Sequence, residues 1–159
     1  MSNLKEEFWA RIPKVRSSML GVVGQGRLVP MSPNYDDDYP ETIWFITADG
    51  TDLAKAVEAG PQTAQMVVSD DKNGLYGDIE GTLERSMDRE ALDEVWSFVA
   101  DAWFEGGKTD PDVRLLKFTP KEGELSVTPA SAVHFLYQMA KAHVTDEKPD
   151  AGEQGMVSF

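Results

Sequence analysis

Residues 41–57 read ETIWFITADGTDLAKAV. Their first half, Thr42-Ile43-Trp44-Phe45-Ile46-Thr47, is rich in β-branched and aromatic side chains, which suit a pleated and largely buried surface. Asp49-Gly50 is a turn signal, and Thr51 or Asp52 can cap a helix that carries Leu53, Ala54, Val57 and Glu58 at helical spacing. The chain therefore leaves a strand, turns sharply and enters a short helix. A helix start offers free backbone N–H groups and partial positive charge. Such a place suits a phosphate. Thr47 and Thr51 add hydroxyls there and Lys55 adds a cation, although an ordinary strand-to-helix connection is the plainer reading.

Upstream, Leu4, Phe8, Ile12 and Val15 recur at a helical interval with Trp9 beside them, predicting an amphipathic helix over 3–12 that ends near Pro13. Arg16–Val23 and Arg27–Ser32 read as two strands joined through Gly24-Gln25-Gly26, a hairpin with Pro30 at an edge, bulge or strand end. Arg27, beside a strand end, is a second candidate phosphate contact; its plainer reading is a solvated hairpin charge. The acidic run Pro33–Pro40 lacks the alternating ligands, glycine and closing glutamate of a calcium loop.

Downstream, Thr63–Ser69 and Leu75–Glu84 read as strands around Asn73-Gly74, a strong hairpin signal. Gly77 and Gly81 within the second suggest a sheet that curls into a barrel. Asp88 opens an expected helix with Leu92, Val95, Trp96, Val99, Ala102 and Trp103 on one stripe, so Trp96 and Trp103 read as core residues. Val113–Thr119 is a sixth strand, extended by Leu125–Thr128 after a turn at Lys121–Gly123. A last helix over 131–143 places Val133, Leu136, Tyr137 and Ala140 on one face. One domain over 1–143 is expected, followed by a polar tail over 144–159, disordered or packed on a partner subunit. Hairpin-joined strands pair antiparallel, so the fold class is mainly β, a six-stranded antiparallel barrel flanked by helices.

Composition excludes several chemistries. There are no cysteines among the 159 residues, hence no disulfides, thiolate catalysis or cysteine-held metal. Fifteen basic against 28 acidic residues leave a net charge of −13, which opposes nucleic-acid binding. No apolar run is long enough to span a bilayer. The N-terminus is unlike a secretory signal, so the cytoplasm is expected. His134 and His143 lie nine apart, which is not a metal-pair spacing on one helical face.

Taken in order, Arg16-Ser17-Ser18-Met19-Leu20, Pro30-Met31, Ile43-Trp44-Phe45-Ile46-Thr47, Asp78-Ile79-Glu80-Gly81, Val95-Trp96 and Trp103-Phe104-Glu105-Gly106-Gly107-Lys108-Thr109-Asp110-Pro111 resemble one known set. It is the general stress protein branch of the pyridoxamine 5'-phosphate oxidase-like family, whose fold is the FMN-binding split barrel. The resemblance runs from about Phe8 to about Tyr137.

It implies a homodimer with FMN, or alternatively FAD or another flavin, in clefts between subunits. It also implies that the strands carrying Met31 and Phe45-Ile46-Thr47 lie along the flavin. Thr51, Lys55 and Arg27 would meet the phosphate, and Trp103 would arrive from the second subunit. Val29 stands where many relatives have Arg, and Asp52-Leu53 where a cation is common. The expected function is thus flavin binding with oxidoreductase chemistry on an unnamed substrate. The alternative is a stress-response binding module that holds no flavin tightly and has no catalytic activity.

Overall fold

In the computed structural model the described residues are 3–129, 132–146 and 152–159, with the side chains of 132–135 outside that set. The expected roles of Val133 and His134 therefore lie outside the described residues. The elements, in order, are α1 (Leu4–Arg11), β1 (Ser18–Val22), β2 (Gln25–Met31), β3 (Ile43–Ala48), α2 (Asp52–Ala56), β4 (Gln62–Asp70), β5 (Leu75–Ser86), α3 (Arg89–Val95), α4 (Phe98–Trp103), β6 (Val113–Val127), α5 (Ala132–Thr145) and β7 (Glu153–Ser158). One antiparallel sheet runs β2-β1-β4-β5-β6-β3, with β7 added on β6. The mainly β, split-barrel expectation holds.

The sheet curls because its longest strands carry glycine where they cross. At Gly81 an added Cβ would lie 2.3 Å from the Thr119 carbonyl oxygen, and the β5–β6 register shifts between Glu80 and Gly81. That bulge bends the strand. The two end strands then approach each other at one end only. Asn34, just past β2, pairs with Trp44 of β3 through two backbone hydrogen bonds of 2.8 and 2.9 Å. Beyond that pair α2 bridges the gap, packing on both β1 and β3 and burying Leu53 and Ala54.

Inside the curl lie Leu20, Phe45, Met66, Ile79, Leu83, Leu116 and Phe118, all inaccessible to solvent. Helix α1 adds Phe8 to this core, and the turn that follows it adds Ile12. Its Arg11 guanidinium donates to the carbonyls of Asn73, Gly74 and Thr128 at 3.0, 3.0 and 2.7 Å, tying the helix to the β4–β5 turn and the end of β6. A second, smaller core lies on the outer face, where α3 sets Ala91, Leu92 and Val95 against Trp44 and Leu115. Strand β3 is thus covered on both sides, which is why its sequence is apolar without alternation.

Several expectations need correction. The helix expected from Asp88 onward is two helices, broken at Trp96-Ser97. Ser97 Oγ accepts from Ala100 N at 3.1 Å and starts a new helix. This local cap outweighs continued periodicity. The stripe therefore fails at its far end: Trp103 is 80% exposed and Val99 61%. Trp96 stays partly buried against the outer core. The turn expected at Lys121–Gly123 is a bulge instead: β6 continues past it, with Lys121 left out of the β5 register between Pro120 and Glu122. Residues 153–158, expected within a polar tail, form β7 on β6 of their own chain. Leu136 and Tyr137 of α5 are exposed.

Candidate functional site

The strand–turn–helix forms as its sequence requires. Gly50 turns the chain with φ +87°, a conformation that glycine adopts without strain. Thr51 is the N-cap of α2, accepting from Ala54 N at 3.3 Å and donating to the Ala48 carbonyl at 3.0 Å. Thr47 Oγ1 lies 3.0 Å from Thr51 Oγ1. Since the single Thr51 hydroxyl proton goes to Ala48, Thr47 is the donor in this pair. Both hydroxyl protons are then engaged within the protein. Among the described residues, no hydrogen bond engages the backbone N–H of Gly50, Asp52 or Leu53. Those three N–H groups, with Lys55, are the donors this turn offers to an anion.

The neighbouring loop is tied to the turn. Asp49 N donates to the Asp112 carbonyl at 2.8 Å, and the Asp49 carboxylate pairs with Arg114 at 3.3 Å. Arg114 stands opposite Thr47 in the β3–β6 register and donates to the Pro111 and Val113 carbonyls at 2.7 and 3.0 Å. In the loop, the Asp110 carboxylate accepts from Asp112 N at 2.9 Å and Gly106 N at 3.1 Å. Those two backbone donors hold its pKa below the usual carboxylate value.

The residues singled out from sequence fall into distinct places. Thr47 and Thr51 come together at the turn, and Lys55 lies exposed in the last turn of α2. Arg27 is exposed on β2, which pairs β1, the strand on which α2 packs. Met31 leans on the main core. Phe45 and Ile46 point to opposite faces of β3: Phe45 is wholly buried in the main core, and Ile46 packs toward the outer core. Trp103 is exposed at the end of α4. Among the described residues neither Arg27 nor Lys55 has an acidic partner within ion-pair distance, so both charges are available. Asp52, also exposed, sets a negative charge at the same turn. Arg114 was missed because a lone charge in Val113–Thr119 reads as an ordinary strand residue. Only the register puts it beside Thr47.

The family model of pyridoxamine 5'-phosphate oxidase-like proteins matches residues 3–150. The chain belongs to that family. It is similar to a solved structure named as a candidate general stress protein 26 from Jannaschia sp. CCS1, with 68% identity, 98% of each chain covered and a TM-score of 0.95. It is also similar to the general stress FMN/FAD binding protein of Xanthomonas citri, at 29% identity over 78% of this chain and 88% of that one, with a TM-score of 0.69. A general stress family protein of Xanthomonas campestris pv. campestris gives 28% identity over 82% and 93%, with a TM-score of 0.69. No curated protein matches the chain. As a family member it shares the split-barrel architecture described above. Among the described residues no helix is long and apolar enough to cross a membrane.

Proposed function

We propose that this protein is a cytoplasmic homodimer that binds FMN and serves flavin-dependent electron or hydride transfer. The observation that carries the proposal is the Thr47–Thr51 turn, with open N–H donors beside unpaired Lys55, in a chain similar to an FMN/FAD binding general stress protein. The donor set fits a phosphate tail: backbone N–H groups and one or two cations, with no acid–base residue needed for binding. Arg27, Lys55 and the Gly50, Asp52 and Leu53 N–H groups hold the phosphate end, with Thr51 fixing the turn that presents them. Thr47, Met31 and the backbone around Phe45 and Ile46 line the ring, and Trp103 of a second copy covers it. A bound flavin supplies the redox chemistry; the protein orients it and excludes water.

Exposed Met87, Phe98, Val99 and Trp103 support the second copy. They lie within 17 residues of sequence, from the end of β5 to the end of α4, and are 61–89% exposed in the single chain. An apolar surface of this kind marks an interface.

The test compares FMN with riboflavin on wild type and on Arg27→Ala/Lys55→Ala. Losing charge-assisted contacts at an exposed site should weaken FMN by about tenfold or more and leave riboflavin near wild type. Equal losses for both ligands would remove these two residues from the phosphate site. One observation favours a second reading, a family member that does not retain flavin. Exposed Asp52 repels a phosphate at the turn itself. On that reading neither flavin binds wild-type protein, and the double variant changes nothing.

A further inference from the structure

A cleft of about 150 Å³ opens between the end of β5, the start of α3 and the loop before β6. Four cations line it: Arg85, Arg89, Lys108 and Arg114. They come from sequence positions up to 29 apart, and only the fold gathers them. In a chain with 15 basic and 28 acidic residues such a concentration is unusual. Lys108 is paired with Asp93 at 3.2 Å, and Arg114 with Asp49. Among the described residues Arg85 and Arg89 have no acidic partner within 4 Å.

Two acids also line the cleft, and both are occupied. Asp88 Oδ1 accepts from Ala91 N at 3.0 Å, while Asp110 holds two backbone N–H groups. The remaining wall is partly apolar, with Leu92 and Leu115 buried behind the charges. An apolar wall lowers the local dielectric and strengthens any charge pairing made in front of it. Arg114, only 17% exposed and fixed by two carbonyls, is already oriented. The cleft has room for a phosphate group.

We propose that this cleft is a binding site for a small phosphate-bearing molecule, held by the Arg85 and Arg89 guanidiniums with Arg114 at its back wall. Guanidinium forks match phosphate oxygens two at a time, which lysine cannot do. The cleft adjoins the turn that carries Thr51 through Arg114, which is paired with Asp49. A phosphate in the cleft competes with Asp49 for that side chain. The ligand class is therefore a small phosphorylated substrate or effector.

The experiment titrates the full chain with inorganic phosphate, following the arginine Nε–H signals by NMR and the affinity by calorimetry. Acetate at equal ionic strength is the reference. Arg85→Gln/Arg89→Gln should weaken phosphate at least about tenfold, whereas Arg16→Gln, remote from the cleft, should leave it unchanged. The proposal is overturned if phosphate binds no better than acetate, or if Arg85→Gln/Arg89→Gln has no effect. It is also overturned if FMN, but not riboflavin, displaces phosphate from the cleft, since the cleft would then be the flavin's own phosphate site. A folded double variant is verified by an unchanged backbone spectrum away from the cleft.

Discussion

Replacing Thr51 by Val keeps the shape of the side chain and removes its oxygen. Three hydrogen bonds go with it: from Ala54 N, from the Thr47 hydroxyl, and to the Ala48 carbonyl. Ala48 keeps a backbone bond from Thr51 N, so two groups are left without partners, the Ala54 N–H and the Thr47 hydroxyl. Losing an N-cap costs about 1 kcal/mol. Stranding the hydroxyl of Thr47, which is 9% exposed, costs roughly another 1–2 kcal/mol. The sum is roughly 2–3 kcal/mol, or a fall of roughly 4–12 °C in melting temperature for a domain of this size.

Thr47→Val loses only one of these bonds and should cost about 1 kcal/mol. Thr51→Ser keeps the oxygen and should stay near wild type. Thermal and urea unfolding of the three variants measure the order. Under the functional proposal, Thr51→Val also weakens FMN more than riboflavin, because the turn that presents the N–H donors loosens. A loss under about 2 °C for Thr51→Val, or a Thr51→Ser variant as damaged as Thr51→Val, would refute this reasoning.

Two further outcomes concern the frame around the site. Gly81→Ala pushes a Cβ against the backbone of Thr119 and Pro120, which cannot yield, and should cost about 3 kcal/mol by urea unfolding. Gly50→Ala meets open space and pays only for its positive φ, about 1 kcal/mol, so the reverse order would contradict the steric account of the curl. For Asp110 the folded pKa lies below the unfolded one. Its hydrogen bonds therefore stabilise the loop above the ordinary carboxylate pKa, and that contribution is lost as pH falls through the lowered folded value. The amide signals of Gly106 and Asp112 should shift together with a midpoint below 3.8, and a midpoint at or above it would count against the two bonds.

Local chemistry made much of this fold legible from sequence. The β3–α2 turn, the Asn73-Gly74 hairpin and the Gly24-Gln25-Gly26 turn all rest on glycine conformations or caps that short stretches specify. The misread regions depend on distant partners or compete with periodicity. Lys121–Gly123 looks like a turn, yet Gly123 lets β6 lie tight on β5, where a Cβ would stand 2.7 Å from the Asp78 carbonyl oxygen. Strand β7 hides in a polar stretch, although Gly155, Val157 and Phe159 alternate inward. Its pairing edge is supplied by β6 between Glu122 and Val127, some 30 residues earlier. Helix α4 parts from α3 because Ser97 caps it, a signal that the apolar stripe masked. At the site, the hydroxyl pair was visible as two threonines in one turn. Arg114 and the cleft cations were not, since their meeting depends on strand register.

The most direct test of the functional account is a fluorescence titration of FMN with the purified protein, its dimeric state checked by sedimentation. Quenched flavin emission that saturates at equal numbers of flavin and chain is the predicted result. Flavin emission that stays unchanged at high protein concentration would contradict it.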